Sequence, residues 1–530
     1  MKYLPIALLI LTSCSGSKTV LAPPPKDLST YQATGEKYMI TTQGKAASYA
    51  AQEMFEKGGN IIDAAVAASF AISVERPQST GLGGGGFLLF HEAKSKKVYA
   101  IDFRERAPLK AKREMYLDQD KNVIPGRSLN GIHSVAVPGL VAGLLEIHQR
   151  FGKLGRAQVL APAIHLAQEG LEVYPRLAEA LKQRAEVLRS YPESAKIFLK
   201  SDGSPFQTGE KIVQSDLARS LRLIAAEGSR AFYRGAIAKA ILETSQAEGG
   251  ILSPRDFKEY KVKWREPVNG SFRGYQIYSM PPPSSGGTHV IQVLNILEND
   301  PLSSHGHFSA ETIHLTAASF QLAFADRSEH LGDPDFVRIP LNRLISKSYA
   351  KKLRAKINPD KARPSSEIKP GAELRPESTE TTHFSIMDQE GNAIASTQTI
   401  NYLFGSGVVA KGTGILLNDE MDDFSVKPGV PNVFGAIGGD ANAISPQKTP
   451  LSSMSPTLVT KEGNPVLAVG APGGTRIISC VTQVILNYLA YQMPLTESVA
   501  SPRFRHGLSL NIRRAGSFPM FCARPESPLN

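Results

Sequence analysis

Cysteine is scarce in this chain, which contains three cysteines among 530 residues. Cys14, Cys480 and Cys522 are too few for the disulfide framework on which small exported domains depend. Cys480 lies in an apolar, helix-like run, so we expect its side chain to be buried. No cysteine pair has the spacing of a zinc site, and the eleven histidines form no HExxH motif. The sequence therefore predicts neither a metal site nor a cofactor.

Two further patterns that would indicate a function are missing. The glycine run at 83–86 lacks the GxxxxGK[ST] pattern of a phosphate-binding loop and follows a predicted helix instead of a strand. We expect these glycines to allow a close approach of neighbouring backbone. The net charge of +11 is scattered, with no basic helix and no strip of basic and aromatic residues. We therefore expect no nucleic-acid partner.

The N-terminal residues predict export and attachment to a lipid. An apolar run stops at Leu11, which makes it shorter than the about 20 residues that span a bilayer. Leu11-Thr12-Ser13-Cys14 resembles a bacterial lipobox. The interpretation is a lipoprotein signal peptide at 1–13, a lipid on Cys14 and a proline-containing tether at 14–32. It places the protein in the periplasm or at the outer membrane, in contact with the membrane only through its lipid. The alternative is an ordinary secretory signal with an incidental cysteine.

The composition changes abruptly at Thr381. Residues 358–380 contain four prolines and many charges, a composition that cannot bury enough apolar surface to form an element of its own. From Thr381 onward apolar residues alternate, with Phe384 and Ile386 on one face. Residues 388–392 predict a turn, and residues 393–399 predict a second strand that pairs with the first.

Thr381 is a candidate nucleophile because of this position. If the chain were cut between Glu380 and Thr381, one residue would carry both a hydroxyl nucleophile and an α-amine, whose pKa near ~8 suits a base. The hydroxyl of Thr381 could make the cut itself, by attacking the carbonyl of Glu380 and forming an ester that water then hydrolyses. The alternative is that Thr381 and Thr382 are ordinary residues at the start of a strand.

Several sequence blocks, in a fixed order around Thr381-Thr382-His383, resemble the γ-glutamyltranspeptidase (glutathione hydrolase) family in its bacterial form. The resemblance extends from about residue 33 to residue 506. The blocks lie at 58–87 (GGNIIDAAVAASFAISVERPQSTGLGGGGF), 101–108 (IDFRERAP), 278–287 (YSMPPPSSGG), 325–336 (ADRSEHLGDPDF), 414–432 (GILLNDEMDDFSVKPGVPN), 450–457 (PLSSMSPT) and 470–478 (GAPGGTRII).

The resemblance implies an α+β fold, the four-layer αββα sandwich of the N-terminal nucleophile hydrolases, built from two fragments of one precursor. The large subunit would be 33–380 and the small subunit 381–506, held together as a heterodimer. Helices are predicted at 60–74, 141–151, 162–170 and 477–491, and strands at 87–92 and 97–103.

Residues 507–530 depart from the family. This stretch is an atypical tail that replaces the strands and helices with which the family closes. We therefore expect exposed sheet edges and an Arg503 that lacks a carboxylate partner.

A γ-glutamyl donor carries an α-amine and an α-carboxylate, so its site needs a cationic fork beside acidic groups. The resemblance assigns the α-carboxylate to Arg104, Ser452 and Ser453, and the α-amine to Asn401, Glu420 and Asp423. It assigns the oxyanion to Gly473 and Gly474, the orientation of Thr381 to Thr399, and the cover of the site to Phe434 in a lid loop at 428–439. His383 is interpreted as structural. Without the resemblance, Asp422-Asp423 reads as a solvated turn, Ser452-Ser453 as a loop and the glycine pair as a tight turn.

The implied activity is that of an autoprocessed γ-glutamyltransferase and glutathione hydrolase. Thr381 would take the γ-glutamyl group of glutathione or another γ-glutamyl compound and pass it to water, an amino acid or a dipeptide. Two alternatives remain open from the sequence. One is a related acylase for glutaryl groups or poly-γ-glutamate, and the other is a non-catalytic envelope lipoprotein whose altered tail prevents maturation.

Overall fold

The computed structural model describes residues 32–363, 380–506, 510–513 and 520–523. The predicted signal peptide, Cys14, the tether up to residue 31 and most of the proline-rich stretch before Thr381 lie outside the described residues. Within the described residues, no helix combines the length and the apolar character needed to cross a membrane.

The strands are β1 (Tyr38–Thr41), β2 (Gly85–Glu92), β3 (Lys97–Asp102), β4 (Leu171–Glu172), β5 (Lys211–Ile212), β6 (Lys263–Arg265), β7 (Val268–Phe272), β8 (Tyr275–Ser279), β9 (Thr382–Asp388), β10 (Ala393–Thr399), β11 (Val409–Ala410), β12 (Ile415–Leu416), β13 (Thr457–Lys461), β14 (Asn464–Gly470), β15 (Arg503–His506), β16 (Leu510–Arg513) and β17 (Met520–Ala523).

The helices are α1 (Lys45–Glu56), α2 (Ile61–Glu75), α3 (Leu140–Phe151), α4 (Arg156–Glu169), α5 (Pro175–Arg189), α6 (Pro192–Phe198), α7 (Ser215–Glu227), α8 (Ser229–Tyr233), α9 (Ala236–Ala247), α10 (Pro254–Glu259), α11 (Gly286–Leu297), α12 (Leu302–His305), α13 (Ala310–His330), α14 (Leu341–Leu344), α15 (Lys347–Arg354), α16 (Arg476–Ile485) and α17 (Leu495–Ala500).

Two antiparallel sheets form the centre of the molecule. The first sheet has the order β1-β9-β10-β2-β3-β6, and the second has the order β17-β14-β13-β8-β7. Because side chains alternate across a strand, Phe384 and Ile386 of β9 face a helical layer that includes α2, whereas Met387 faces the second sheet. Helices α11 and α16 pack on the outer side of the second sheet. The order helix, sheet, sheet, helix confirms the predicted αββα sandwich.

The strands on either side of the turn at 388–392 follow the sequence pattern closely. β10 begins and ends at the predicted residues, and Ile394 pairs with Ile386 in an antiparallel register. The glycine run at 83–86 leads into β2 beside β10, and a Cβ atom on Gly84 would collide with the carbonyl oxygen of Thr399. The predicted close approach of backbone at these glycines is therefore confirmed.

Three local predictions were wrong. Helix α4 begins at Arg156 and not at 162, with Pro162 in its interior, because it packs against α2 and α7 through buried residues such as Val159 and Leu160. Proline often occupies the first turn of a helix, which is why the sequence suggested a later start. The predicted helix at 477–491 is α-helical only to Ile485 and continues as a π turn. Cys480, expected to be buried, is half-buried.

The backbone of the C-terminal residues pairs with the second sheet. Met520 pairs with Gly470 and Ala523 pairs with Leu467, so β17 covers one edge of β14 and forms the edge of the sheet itself. The expectation of exposed sheet edges did not foresee this pairing. Arg503 donates from Nη1 to the carbonyl oxygens of Val499 and Ser501. No ion pair between Arg503 and a carboxylate occurs within the described ranges.

Candidate active site

Thr381 lies directly before β9, an interior strand of the first sheet, and its side chain is buried. The register that pairs Gln398 with Thr382 brings Thr399 beside it, with 3.3 Å between the two hydroxyl oxygens. The Thr399 oxygen accepts a hydrogen bond from the backbone N–H of Asn401 at 2.9 Å. Because that contact uses a lone pair of Thr399, the hydroxyl hydrogen is available to Thr381. The placement fits the orienting role that the sequence analysis gave to Thr399.

The backbone of Thr381 is strained. Its φ angle is 105°, in the region that β-branched residues rarely adopt. Such conformations cost on the order of 1–3 kcal/mol and persist only where surrounding structure imposes them. The φ torsion of Thr381 exists only while the peptide bond to Glu380 is intact. Cleavage of that bond would therefore release the strain.

The carbonyl group of Glu380 is held by a backbone donor. The N–H of Gly473 donates to the carbonyl oxygen of Glu380 at 3.0 Å. This is the oxygen that would become negatively charged if the Thr381 hydroxyl attacked the Glu380 carbonyl, so the Gly473 N–H lies where an oxyanion donor would be needed. Gly473 and Gly474 have φ angles of 113° and 54°, and a Cβ atom on Gly474 would lie 2.9 Å from the Phe434 ring. Both positions therefore favour glycine, because of the positive φ angles and, at Gly474, because of the lack of space for a side chain.

Arg104 is the cation at the centre of the site. Its side chain is fully buried, with Nη1 at 2.6 Å from Glu420 Oε1 and Nη2 at 2.5 Å from Asp423 Oδ2. Its Nε donates to the carbonyl oxygen of Pro450 at 2.9 Å. Burial alone would lower the pKa of Arg104, but the two carboxylates outweigh it and raise the pKa above its usual value. Arg104 is therefore charged and fixed in orientation.

The acidic side of the site is anchored by amides. Asp423 accepts a hydrogen bond from Asn432 Nδ2 at 2.9 Å, and Asn401 Nδ2 donates to the carbonyl oxygen of Asp419 at 3.0 Å. Glu420 is fully buried, and burial raises its pKa to about 8. Glu105, which the sequence analysis missed, lies next to it. Burial and then the charge of Glu420 raise the pKa of Glu105 well above its usual value.

The serine pair lies in the loop before β13. Ser453 Oγ accepts from Nη2 of Arg327 at 3.2 Å, and Ser452 Oγ accepts from the N–H of Met454 at 3.0 Å. Arg327 also donates to Ser285 at 3.0 Å and lines the cavity. Sequence reasoning did not select Arg327, although it lies inside the block at 325–336. The structure thus brings a second cation, Arg327, to the cavity beside the serine pair.

Phe434 covers the site. Its ring packs against Gly474 and lies 6.4 Å from the ring of Tyr402. The lid is held by Asn432, whose side-chain oxygen accepts from the N–H groups of Phe434 and Ala436. Beneath it is a cavity of about 20 Å³, lined by Arg104, Arg327, Thr381, Thr399, Asn401, Glu420, Asp423, Asn432, Phe434, Ala436, Ser452, Ser453, Met454, Gly474, Thr475 and Ile477. A space of that size holds about one water molecule.

His383 lies two residues after Thr381 and is not among the residues that line the cavity. Its Nδ1 lies 2.8 Å from Thr397 Oγ1 and its Nε2 lies 3.0 Å from Ser385 Oγ. Complete burial lowers the pKa of His383 to about 3, so the ring is neutral. These contacts agree with the structural role predicted for His383.

Substrate binding should depend on the ionisation of Glu420. Because its pKa is raised to about 8, Glu420 gains its charge as the pH rises through that value. The groups that face it are Arg104, Glu105 and Asp423. An added negative charge favours an α-ammonium group, so KM for a donor that carries one should fall as the pH rises from about 7 towards 8, and should rise again where the donor's own α-ammonium group loses its proton. Steady-state KM over this range measures the effect.

Two comparisons separate Glu420 from other titrating groups. In Glu420→Gln, KM should lose this pH dependence, while the pH profile of kcat should stay as in the wild type. A glutaryl anilide has no α-amine, so its KM should change little with pH. An unchanged KM profile in Glu420→Gln would show that another group controls binding.

The four-layer sandwich, with a strained threonine at the head of a central strand and a glycine N–H on the preceding carbonyl, is the arrangement of an N-terminal nucleophile hydrolase. Among solved structures, the cephalosporin acylase from Bacillus halodurans is similar to this chain, with a TM-score of 0.78 and 27% identity over 91% of this chain and 87% of that one. The γ-glutamyltranspeptidase from Helicobacter pylori is similar with a TM-score of 0.62 and 43% identity, over 66% of this chain and 99% of that one.

The family is narrower than this class. The family model for gamma-glutamyltranspeptidase matches residues 47–516. The glutathione hydrolase proenzyme of Escherichia coli (strain K12) is 44% identical over 507 residues, which cover 94% of this chain and 87% of that protein. This chain therefore belongs to the γ-glutamyltranspeptidase family.

Proposed function

We propose that this protein is a γ-glutamyltransferase and glutathione hydrolase that matures by cutting itself between Glu380 and Thr381. The observation that carries the proposal is the geometry at the bond itself. The carbonyl oxygen of Glu380 accepts a hydrogen bond from the N–H of Gly473. The Thr381 hydroxyl lies beside that of Thr399, and both residues line a cavity that Arg104 also lines. One set of groups thus serves both the cut and the later reaction.

Maturation begins when Thr381 Oγ attacks the carbonyl carbon of Glu380. The C–N bond breaks, the hydroxyl proton passes to the leaving nitrogen, and an ester joins Glu380 to Thr381 Oγ. Water hydrolyses the ester, which leaves a carboxylate on Glu380 and a free α-amine and hydroxyl on Thr381. The Gly473 N–H stabilises the oxyanion of the first step, a type of contact that contributes roughly 3–4 kcal/mol to lowering a barrier.

In turnover, Arg104 binds the α-carboxylate of the donor while Glu420 and Asp423 bind its α-amine. In the structure Arg104 is paired with those acids, so a donor replaces part of an existing ion-pair network and does not meet isolated charges. Thr381 then attacks the γ-carbonyl, with its own α-amine as base, and the γ-glutamyl ester passes to water, an amino acid or a dipeptide.

A self-cleavage assay followed by glutathione hydrolysis tests the proposal. The purified chain, incubated at neutral pH, should give two bands on denaturing electrophoresis, and the smaller fragment should begin at Thr381. The cut sample should release glutamate and cysteinylglycine from glutathione. A single full-length band without activity would instead favour the non-catalytic lipoprotein with a defective tail.

An acylase for glutaryl groups is the second candidate, because the cephalosporin acylase of Bacillus halodurans has a similar fold. The acids Glu420 and Asp423 favour a substrate with an amine, since a glutaryl group leaves them without a cationic ligand. We therefore expect γ-glutamyl anilide to be preferred over glutaryl anilide by about 100-fold or more in kcat/KM. The lid loop at 428–439, which lies over the cavity, counts against a long polymer such as poly-γ-glutamate.

The proposal for location is a lipoprotein of the periplasm or outer membrane, anchored through Cys14. Its support is the sequence Leu11-Thr12-Ser13-Cys14. Labelling with a radioactive fatty acid should mark the chain in cells, and Cys14→Ser should remove the label. Label retained in that variant would reject the anchor.

A further inference from the structure

The side chain of Glu380, on the N-terminal side of the bond to Thr381, is buried and bound at both oxygens. Its Oε1 lies 2.5 Å from Nη2 of Arg176, and its Oε2 accepts from the hydroxyl of Ser79 at 2.8 Å. Ser79 is fully buried before the glycine run, and Arg176 is on the first turn of α5. Arg176 also pairs with Glu179 on the outer side, at 3.0 Å. These contacts form a pocket for one carboxylate.

The pocket fixes the peptide that must react. A buried carboxylate needs a cation or several hydrogen bonds, so Glu380 is held in one orientation by Arg176 and Ser79. The adjoining carbonyl is held by Gly473, and the chain beyond it is held by β9. Fixing a carbonyl beside its nucleophile can contribute several orders of magnitude to rate, and small displacements reduce it strongly.

We propose that Arg176 and Ser79 form a carboxylate-selective pocket for the residue before the cut, and that Arg176 is a positioning residue for self-cleavage. The inference rests on the proposed maturation at the Glu380–Thr381 bond. Arg176 supplies no proton and forms no bond to the reacting atoms. It holds Glu380 so that the carbonyl carbon faces Thr381 Oγ while the C–O bond forms and the C–N bond breaks.

The pocket is separate from the substrate cavity. Arg176 and Ser79 are absent from the residues that line that cavity, whereas Thr381, the residue after Glu380, does line it. The role of Arg176 therefore ends with the cut, and a change at Arg176 should alter the rate of maturation without altering turnover by chains that have matured. A substitution that damaged the fold would alter both.

The test measures the half-time of cleavage of freshly synthesised full-length precursor, followed by gel electrophoresis at neutral pH. Arg176→Gln and Glu380→Gln should each lengthen the half-time by about 10- to 100-fold, because each removes one charge-assisted hydrogen bond. The double variant should be no slower than the slower single variant, since both changes remove the same contact. Glu179→Gln is the matched control, because it removes the outer partner of Arg176 and should leave the half-time unchanged.

Turnover by the matured fraction gives the second readout. After long incubation, kcat and KM per mole of cut Arg176→Gln enzyme should equal the wild-type values. The inference would be overturned if Arg176→Gln cut with the wild-type half-time. It would also be overturned if the two substitutions lengthened the half-time of the double variant by the product of their separate effects. A matured fraction with altered kcat and a lower melting temperature would also overturn it, in favour of a structural role. Failure of the wild-type chain to cut at Thr381 would instead reject the proposed function.

Discussion

Thr381→Ala should leave the chain uncut and reduce release of glutamate from glutathione by roughly 10⁴-fold or more, the scale seen when a nucleophile is removed. The change deletes the hydroxyl that attacks Glu380, so no α-amine is formed, and it also deletes the nucleophile of turnover. Denaturing electrophoresis and a glutathione hydrolysis assay measure the two effects separately.

Two variants control for packing at this buried position. Thr381→Ser keeps a hydroxyl, so the chain should still cut. The rate should be reduced because serine adopts the φ angle of 105° with less strain, which leaves less strain for the cut to release. Thr382→Ala removes a hydroxyl that donates to Gln43 at 2.8 Å and should keep both cleavage and activity. Normal cleavage in Thr381→Ala would exclude Thr381 as the nucleophile.

Arg104→Lys should lower kcat/KM for a γ-glutamyl donor by about 10²- to 10³-fold while the chain remains folded. Lysine keeps a positive charge near the buried Glu420 and Asp423, so neither acid is left uncompensated. Lysine lacks the planar guanidinium group, which can bind a carboxylate with two hydrogen bonds while its Nε donates to the carbonyl oxygen of Pro450. Steady-state kinetics with γ-glutamyl anilide, beside a thermal melt, measures the two outcomes.

The donor itself can show which group Arg104 binds. With 4-aminobutanoyl anilide, which has the amine and lacks the α-carboxylate, the wild type and Arg104→Lys should differ by only a few-fold. Arg354 also pairs with a carboxylate, that of Asp300, away from the cavity, so Arg354→Lys should leave kinetics unchanged. If Arg104→Lys lowered kcat/KM equally for both donors, Arg104 would act in folding and not in recognition of the α-carboxylate.

The sequence predicts those parts of the molecule whose cause is local. The two strands after the cut follow from alternating apolar residues and a polar turn, and β10 has the predicted bounds. The same pattern explains why Thr399 reaches Thr381, since register in a hairpin fixes its partners. Helix α4 was harder because packing between two other helices keeps Pro162 in its interior, which a single sequence does not reveal.

The site was predictable only as a set of residues, not as a network. Arg104, Glu420 and Asp423 lie in recognisable motifs, but their pairing joins positions more than 300 residues apart. Glu105 sits beside Arg104 in the chain, yet its raised pKa arises from burial and from Glu420. The contact of Arg176 with Glu380 spans 204 positions and belongs to no motif. Such contacts are set by how distant elements meet, so local patterns carry little information about them.

The strand order determines how the cut enzyme should behave when it is diluted. In the first sheet β9 and β10, which follow Thr381, lie between β1 and β2, which precede it, and the second sheet combines β7 and β8 with β13 and β14. Separating the two fragments would therefore break backbone hydrogen bonds in both sheets, which costs more than separating two folded proteins along a shared surface. Specific activity of the cut enzyme should not fall at nanomolar concentration, and separately produced fragments should not regain activity on mixing. A cut between Glu380 and Thr381 would therefore leave one folded body and not two independently folded partners.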